Sequence, residues 1–307
     1  MKLSIIIPIY YNEETLEMLY SDLKEKVLDI IDYDYEIIMV NDGSGDNSYQ
    51  IMKNLKDLDP KIKIYSLSRN YGSHAAVLCG LEHSTGDCAV IKAADLQEPS
   101  EMILDMVKAW KKGNNVVLAI RKERKEGREQ IFFANTYYWL VRKFALPKMP
   151  KNGFDIFLID KKVIKVLSLL DERNSSITAQ ILWCGFKTIE VPYIRRERTV
   201  GSSKWTLKKK IRLVQDTMFS FSSTPINFIS IIGGSSVFLS LLSCIITILL
   251  GRLVSGKINE FLIICEVLWF FFGVLACFLG IIGEYIWRTL DASRNRPVYI
   301  IEDRDER

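Results

Sequence analysis

Cysteine and histidine are scarce, and where they occur they are not gathered for chemistry. The 307 residues hold six cysteines and two histidines. No C-x-x-C pair and no Cys/His cluster is present, which argues against a disulfide scaffold or a zinc site. Cys244, Cys265 and Cys277 fall in apolar runs and read as packing residues. There is no repeat and no low-complexity linker. No G-x-G-x-x-G follows the first apolar run, which disfavours a dinucleotide-binding dehydrogenase. Net charge is only +4, and the basic residues form no long stripe with stacking aromatics, so nucleic acid is a poor partner. The start, Met-Lys-Leu-Ser-Ile-Ile-Ile-Pro, lacks the apolar stretch and small-residue cleavage site of a signal peptide. At 49% hydrophobic and 25% charged, the chain can bury one or two cores and is too apolar for disorder.

Charge is missing from two long stretches, 217–251 and 267–283. A helix crosses a bilayer with roughly 20 mostly apolar residues, so spans are expected at about 226–250 and 261–284. Lys204, Lys208, Lys209, Lys210 and Arg212 precede the first, and Arg288, Arg294 and Arg296 follow the second. The intervening loop holds only Arg252 and Lys257. The positive-inside rule then places both termini in the cytosol. The expected plan is a cytosolic domain over 1–203 and a juxtamembrane amphipathic segment over 204–225. A two-helix hairpin over 226–287 and a cytosolic tail over 288–307 follow. The expected location is the cell inner or plasma membrane, as a multi-pass protein.

The first two-thirds alternates strand and helix signals. Residues 3–9, 36–40, 63–67, 88–92 and 116–120 are short apolar runs of the buried-strand kind. Helical spacing covers 13–31, where Leu16, Leu19, Leu23, Val27 and Ile30 recur between charged residues. Helices are also expected over 48–58, 72–83 and 101–111. The alternation implies an α/β fold with a mostly parallel central sheet covered by helices. Ligands of such sheets bind at the carboxyl ends of the strands.

Four polar turns stand at those ends: Tyr10-Tyr11-Asn12-Glu13-Glu14, Asn41-Asp42-Gly43-Ser44, Ser68-Arg69-Asn70-Tyr71-Gly72 and Ala94-Asp95-Leu96-Gln97-Glu98-Pro99. Each alone is an ordinary turn, and Asn12 or Ser100 could cap a helix. Together, and followed by Gly153-Phe154-Asp155, Trp183-Cys184-Gly185-Phe186 and Arg195-x-x-Arg198-x-x-Gly201-x-Ser203-Lys204-Trp205, they resemble family 2 glycosyltransferases. The likeness is greatest to the polyprenyl-phosphate branch and extends over nearly the whole chain. It implies a GT-A nucleotide-sugar domain that transfers a sugar to a lipid phosphate. It also implies a homo-oligomer, such as a tetramer, at the lipid bilayer, and a flippase acting downstream in cell-envelope glycan modification.

The residues suit that chemistry. Asp42 can accept from a nucleobase ring N–H, beside Pro8, Tyr10, Asn12 and Gly43. The resemblance puts Asp42 at the base, Glu13 beside the nucleotide, and Gln97 near the diphosphate and metal. Asp95 is a hard oxygen ligand for Mg²⁺ or Mn²⁺ bridging the diphosphate. The family's usual Asp-x-Asp is reduced here, because Ala93 takes the first position. Arg121 and Arg128 flank a basic cluster that suits either a phosphate or a solvated surface. Arg195, Arg198, Ser203 and Lys204 make a second cluster, which suits the acceptor phosphate or diphosphate. Asp155 matches the family's candidate base. The donor expected is a nucleotide diphosphate-sugar, UDP-linked in preference to GDP-linked, and the acceptor is undecaprenyl or another polyprenyl phosphate. Two alternatives stand beside this: a GDP-mannose-dependent mannosyltransferase, and a non-catalytic nucleotide-sugar-binding scaffold.

Overall fold

The computed structural model describes residues 1–122, 128–170, 176–196, 207–222, 260–294 and 296–305, with a few scattered positions between 224 and 246. The chain divides into two units. One comprises Met1–Thr217 together with Pro297–Arg307, and the other is Met218–Arg296.

The first unit is built on one sheet. Its strands are β1 (Lys2–Ile9), β2 (Asp34–Asn41), β3 (Ile62–Leu67), β4 (Cys88–Ile91), β5 (Val116–Arg121), β6 (Ile156–Asp160), β7 (Thr188–Tyr193) and β8 (Ile301–Asp305). They lie in the order β7-β5-β6-β4-β1-β2-β3-β8. Helices α1 (Leu16–Leu23), α2 (Ser48–Leu58), α3 (Ser73–Glu82) and α4 (Met102–Lys111) connect the first five strands. Further along come α5 (Arg128–Phe144), α6 (Lys161–Leu167), α7 (Ile177–Trp183) and α8 (Leu207–Phe221). The second unit contains α9 (Glu260–Ser293).

β1 shows why the layers form. Alternate residues point to opposite faces, and all but Lys2 and Pro8 are buried. Leu3, Ile5, Ile7 and Ile9 join Leu16, Leu19 and Leu23 of α1, Met52 and Leu55 of α2, and Ile103 and Met106 of α4 in one core. Ile6 faces the other way onto α3, where Gly80 leaves no room for a β-carbon against it. Helices therefore cover the sheet on two sides.

The sheet is mixed rather than mostly parallel. β1 pairs in parallel with β2 and β4, β2 with β3, and β5 with β7. β6 is antiparallel to both β4 and β5, and β8 is antiparallel to β3. Because β6 runs backwards, its first residues lie at the sheet end where β4 and β5 finish. The helix expected over 13–31 begins only at Leu16 and closes in a π-turn over Lys24–Leu28.

Pro8 sits in a central strand without cost. Ile6 shares its parity, and the Ile6 carbonyl accepts from Lys92 N at 2.9 Å, so both face β4. The last β1–β4 pair is Ile6↔Ile91. Proline's missing N–H therefore falls beyond the end of β4, where no ladder partner stands. β1 and β4 part there, at the point where strand order reverses, which is where sheets of this kind leave a crevice.

The multi-pass membrane placement is corrected. Among the described residues no helix is long and apolar enough to cross a membrane. The run 226–250 lies almost wholly outside the described residues, and the run 261–284 falls within α9, only some of whose side chains are described. A charge-free window is a property of composition, whereas a span requires a helix long and apolar enough to cross, and the described residues supply none. Within the segment 288–307, Ile301–Asp305 form the eighth strand of the sheet.

Candidate active site

The polar turns converge at the carboxyl end of the sheet. The β1 turn is braced by a hydrogen bond of its own and by others to the segment that leads into α2 and to the first residue of that helix. Tyr10 N donates to Asn12 Oδ1 at 2.9 Å, Tyr11 N to Ser44 Oγ at 3.1 Å and Asn12 N to Ser48 Oγ at 2.9 Å. Glu13 Oε2 accepts from Asn47 N at 2.9 Å, at the start of α2. The Tyr10 and Tyr11 rings meet edge to face at 4.7 Å. Tyr11 has φ +56, unusual for a side chain of that size, and its ring lies against Gly45.

Asp42 is buried, and both of its carboxylate oxygens accept backbone N–H groups from the β3 turn. Tyr71 N lies 2.7 Å from Oδ1 and Gly72 N 2.9 Å from Oδ2. Asp42 therefore shapes the third turn from the end of the second strand. Gly43, at φ +66, packs directly on the backbone of Arg69 and Asn70.

The β4 turn holds the densest charge. Asp95 Oδ1 accepts from Gln97 N at 3.3 Å. Leu96 between them takes φ +59. Arg195, in the segment after β7, reaches across the sheet end. Its Nη2 donates to Gln97 Oε1 and lies 3.9 Å from Asp95 Oδ2, and its Nε lies 3.8 Å from Glu98 Oε1. Arg196 N donates to the Gln97 carbonyl at 2.8 Å, which seats this segment on the turn. Arg196 also pairs with Glu101 at 3.0 Å. Glu98 is almost wholly buried, and burial, then the neighbouring Asp95, pushes its carboxyl above the ordinary range. Lys92 is wholly buried beneath it, donates to the Glu98 carbonyl, and is pushed down by burial. Thr15 Oγ1 donates to the Ala94 carbonyl at 2.7 Å and ties the β1 and β4 turns together.

Asp155 immediately precedes the reversed strand β6, so it lies at the same end. Arg121, the last residue of β5, donates through Nη2 to Asp155 Oδ2 and through Nε to Tyr193 Oη at 3.3 Å. Asn152 Nδ2 donates to the Arg121 carbonyl at 3.0 Å. Asp155 remains 60% exposed, so a carboxylate oriented by a guanidinium faces outward there.

The structure thus brings Pro8, Tyr10, Asn12, Glu13, Asp42, Gly43, Asp95, Gln97, Arg121, Asp155 and Arg195 to one end of the sheet. Arg198, Ser203 and Lys204 lie outside the described residues, as does the side chain of Arg128 at the start of α5. Sequence reasoning missed Glu98, Lys92 and Tyr193 as parts of the site. Glu98 stood inside a quoted motif, but nothing local signals that it is buried. Among the described residues no three His, Cys, Asp or Glu side chains gather as a metal cage. A single hard carboxylate, Asp95, fits a cation held chiefly by substrate phosphates, as Mg²⁺ often is.

Residues 4–203 match Glycosyl transferase family 2. Over 303 residues the chain is 35% identical to the uncharacterized glycosyltransferase YkcC of Bacillus subtilis (strain 168), covering 97% of this chain and 93% of that one. It is 33% identical over 309 residues to the bactoprenol glucosyl transferase of Shigella phage SfX, covering 99% and 100%. A prophage bactoprenol glucosyl transferase homolog of Escherichia coli (strain K12) is also 33% identical, over 307 residues, covering 98% and 99%. The resemblance read from the strand-end turns is thus a relationship along the whole chain, and the protein belongs to glycosyl transferase family 2 as a glycosyltransferase.

Proposed function

We propose that the protein moves a sugar from a nucleotide diphosphate-sugar, UDP-linked in preference to GDP-linked, to a polyprenyl phosphate, inverting the anomeric carbon. The observation that carries this is the pairing of two charge clusters at one sheet end. Asp95, Gln97 and Arg195 stand together after β4, and Arg121 and Asp155 stand together between β5 and β6. The first suits a donor diphosphate and the second an incoming acceptor. Relatives named for bactoprenol at 33% identity over the full chain support the acceptor class.

Asp95 and the donor's diphosphate oxygens would hold Mg²⁺ or Mn²⁺, which supplies charge neutralisation there. The chain's own residues do the rest. Arg195 offers a guanidinium fork to phosphate oxygens. A phosphate monoester has a second pKa near 6, so much of the acceptor is dianionic at neutral pH. It needs alignment and relief from repulsion more than a strong base. Arg121 supplies positive charge at the acceptor side and holds Asp155 in place. Asp155 can take a residual acceptor proton or hold a sugar hydroxyl, and direct attack by an acceptor phosphate oxygen forms the new bond to the anomeric carbon as its bond to the departing nucleoside diphosphate breaks, which inverts the carbon.

The test is incubation of purified protein with a panel of UDP- and GDP-sugars and undecaprenyl phosphate, with lipid products read by mass spectrometry. A sugar-phosphate lipid from one donor is expected. Nucleotide-sugar binding without any lipid product would instead favour the scaffold reading, toward which the loss of the first carboxylate at Ala93 points.

A further inference from the structure

The end of the chain returns to the sheet beside the candidate nucleotide pocket, and nothing in the catalytic reading accounts for it. β8 pairs antiparallel with β3 through Ile64↔Asp305, Tyr65↔Arg304, Ser66↔Asp303 and Leu67↔Ile301. The sequence of β8, Ile-Glu-Asp-Arg-Asp, has no apolar alternation of its own, so the edge of β3 imposes the strand. Three side-chain anchors fix it to α2. Tyr49 Oη donates to Asp303 Oδ2, Lys56 Nζ lies 2.6 Å from Asp305 Oδ1, and Lys53 lies 4.0 Å from Asp303.

Just before β8 the tail touches the turn that Asp42 holds. The Ile300 carbonyl accepts from Ser68 N at 3.0 Å. Val298, 9% exposed, packs with Ala75 and Leu78 of α3, and Tyr71 and Tyr299 lie against the same cluster. Tyr299 Oη donates to Glu82. The turn 68–72 is therefore gripped from both sides, by the tail at Ser68 and Tyr71 and by the Asp42 carboxylate at Tyr71 and Gly72.

We propose that the tail, residues 297–305, is a positioning clamp for the turn 68–72, and through Tyr71, Gly72 and Asp42 for the nucleotide pocket. This rests on the reading of Asp42 and its neighbours as the nucleotide site. The clamp acts by order rather than by touching substrate. With it, the turn presents two N–H groups to Asp42 in a fixed geometry. Without it, the turn keeps the Asp42 carboxylate and the Gly43 contact but loses the Ser68–Ile300 hydrogen bond and the packing of Val298, so its two N–H groups are held less firmly against Asp42. Donor binding then carries the cost of ordering the turn, which weakens affinity and leaves the chemistry of bound donor unchanged.

Two variants test this, in the full chain with only the stated change. One is deletion of 297–307, and the other is Val298→Ala, which thins the plug while keeping the strand. Each is measured for melting temperature, for amide hydrogen exchange of the peptide covering 68–72, and for UDP and GDP binding by calorimetry. The expected result is faster exchange at 68–72 in both, with nucleotide affinity about tenfold weaker in the deletion and less so in Val298→Ala. A synthetic peptide of residues 297–307, added in excess to the deletion variant, should restore both. Unchanged exchange at 68–72 in Val298→Ala and in a folded deletion variant overturns the clamp. Faster exchange with unchanged nucleotide affinity also overturns it, because the tail then orders the turn without serving the pocket. If the intact chain binds neither nucleotide, the reading of the pocket fails and takes with it the proposed service to the pocket. The exchange measurement still decides separately whether the tail orders the turn. If the deletion variant does not fold, Val298→Ala alone decides.

Discussion

Gly43 shows how little freedom the site leaves a single residue. It sits at φ +66, and a β-carbon there would lie 2.5 and 2.6 Å from backbone atoms of Arg69 and Asn70. Backbone cannot swing aside as a side-chain tip can. A left-handed conformation costs an L-residue about 1–2 kcal/mol, and overpacking adds about 1–3 kcal/mol. Gly43→Ala should therefore lose about 2–5 kcal/mol by urea denaturation and loosen nucleotide binding as well; a wild-type midpoint would contradict the contact. Neither Asp155 nor Asp95 is fully buried. Asp155 is 60% exposed, so Asp155→Asn should fold normally. Its kcat should fall on the order of a hundredfold, the scale of an acid–base group, with donor affinity kept. Near-normal kcat at saturating substrates would make Asp155 structural. Asp95→Asn should abolish turnover and weaken UDP binding more in Mg²⁺ than in chelator. Equal weakening in both conditions would remove the metal assignment.

At the scale of elements, the reversed strand β6 delivers Asp155, and its entry depends on α5. Gly153 has φ +63, and a β-carbon there would run into the Tyr138 ring. Gly153→Ala should push Tyr138 away, shift the approach to β6, and lower kcat more than it raises the donor KM. Adding Tyr138→Ala should recover part of the activity by removing the clash, though not the backbone strain; no recovery at all would mean that strain alone is at work. The same elements show what the sequence could reveal. β1 to β5 are buried in the middle of a two-sided sheet, so each reads as an apolar run, and their ends fall close to the expected ones. β8 is almost wholly polar and carries no local apolar pattern, and β7, though Ile189, Val191 and Tyr193 alternate along it, is largely exposed. Each exists because a neighbouring edge offers a ladder. The turns of the candidate site are legible as polar interruptions at strand ends. The contacts between them are not, because Arg195 and Gln97 are 98 residues apart and only the topology joins them.

At the scale of the molecule, the expected multi-pass placement rested on two charge-free runs, and no helix among the described residues is long and apolar enough to cross a membrane. Charge in the first unit, by contrast, is arranged to hold strands together far from the site. Glu36, at the amino-terminal end of β2, is buried and fully engaged. It accepts from Ser4 Oγ at 2.6 Å, from Thr85 N at 2.6 Å and Thr85 Oγ1 at 2.7 Å, and it pairs with Lys2 and Lys63, each at 2.9 Å. It thereby joins β1, β3 and the segment before β4 to β2. Burial pushes its carboxyl up, but the bonds from Ser4, Lys63, Thr85 and Lys2 outweigh that and bring it down to about 2. A carboxyl lowered on folding stabilises the fold fully above its unfolded value of about 4.3. That contribution fades as pH falls from there and is gone below about 2. Folding stability should therefore drop across this acid window. Glu36→Gln should be less stable at pH 7 and show a shallower fall, because the titrating group is gone while Lys2 and Lys63 remain charged beside it. Denaturant unfolding of both proteins from pH 7 to pH 2.5 measures this directly. Parallel curves, offset by a constant, would mean that Glu36 contributes packing rather than a linked proton.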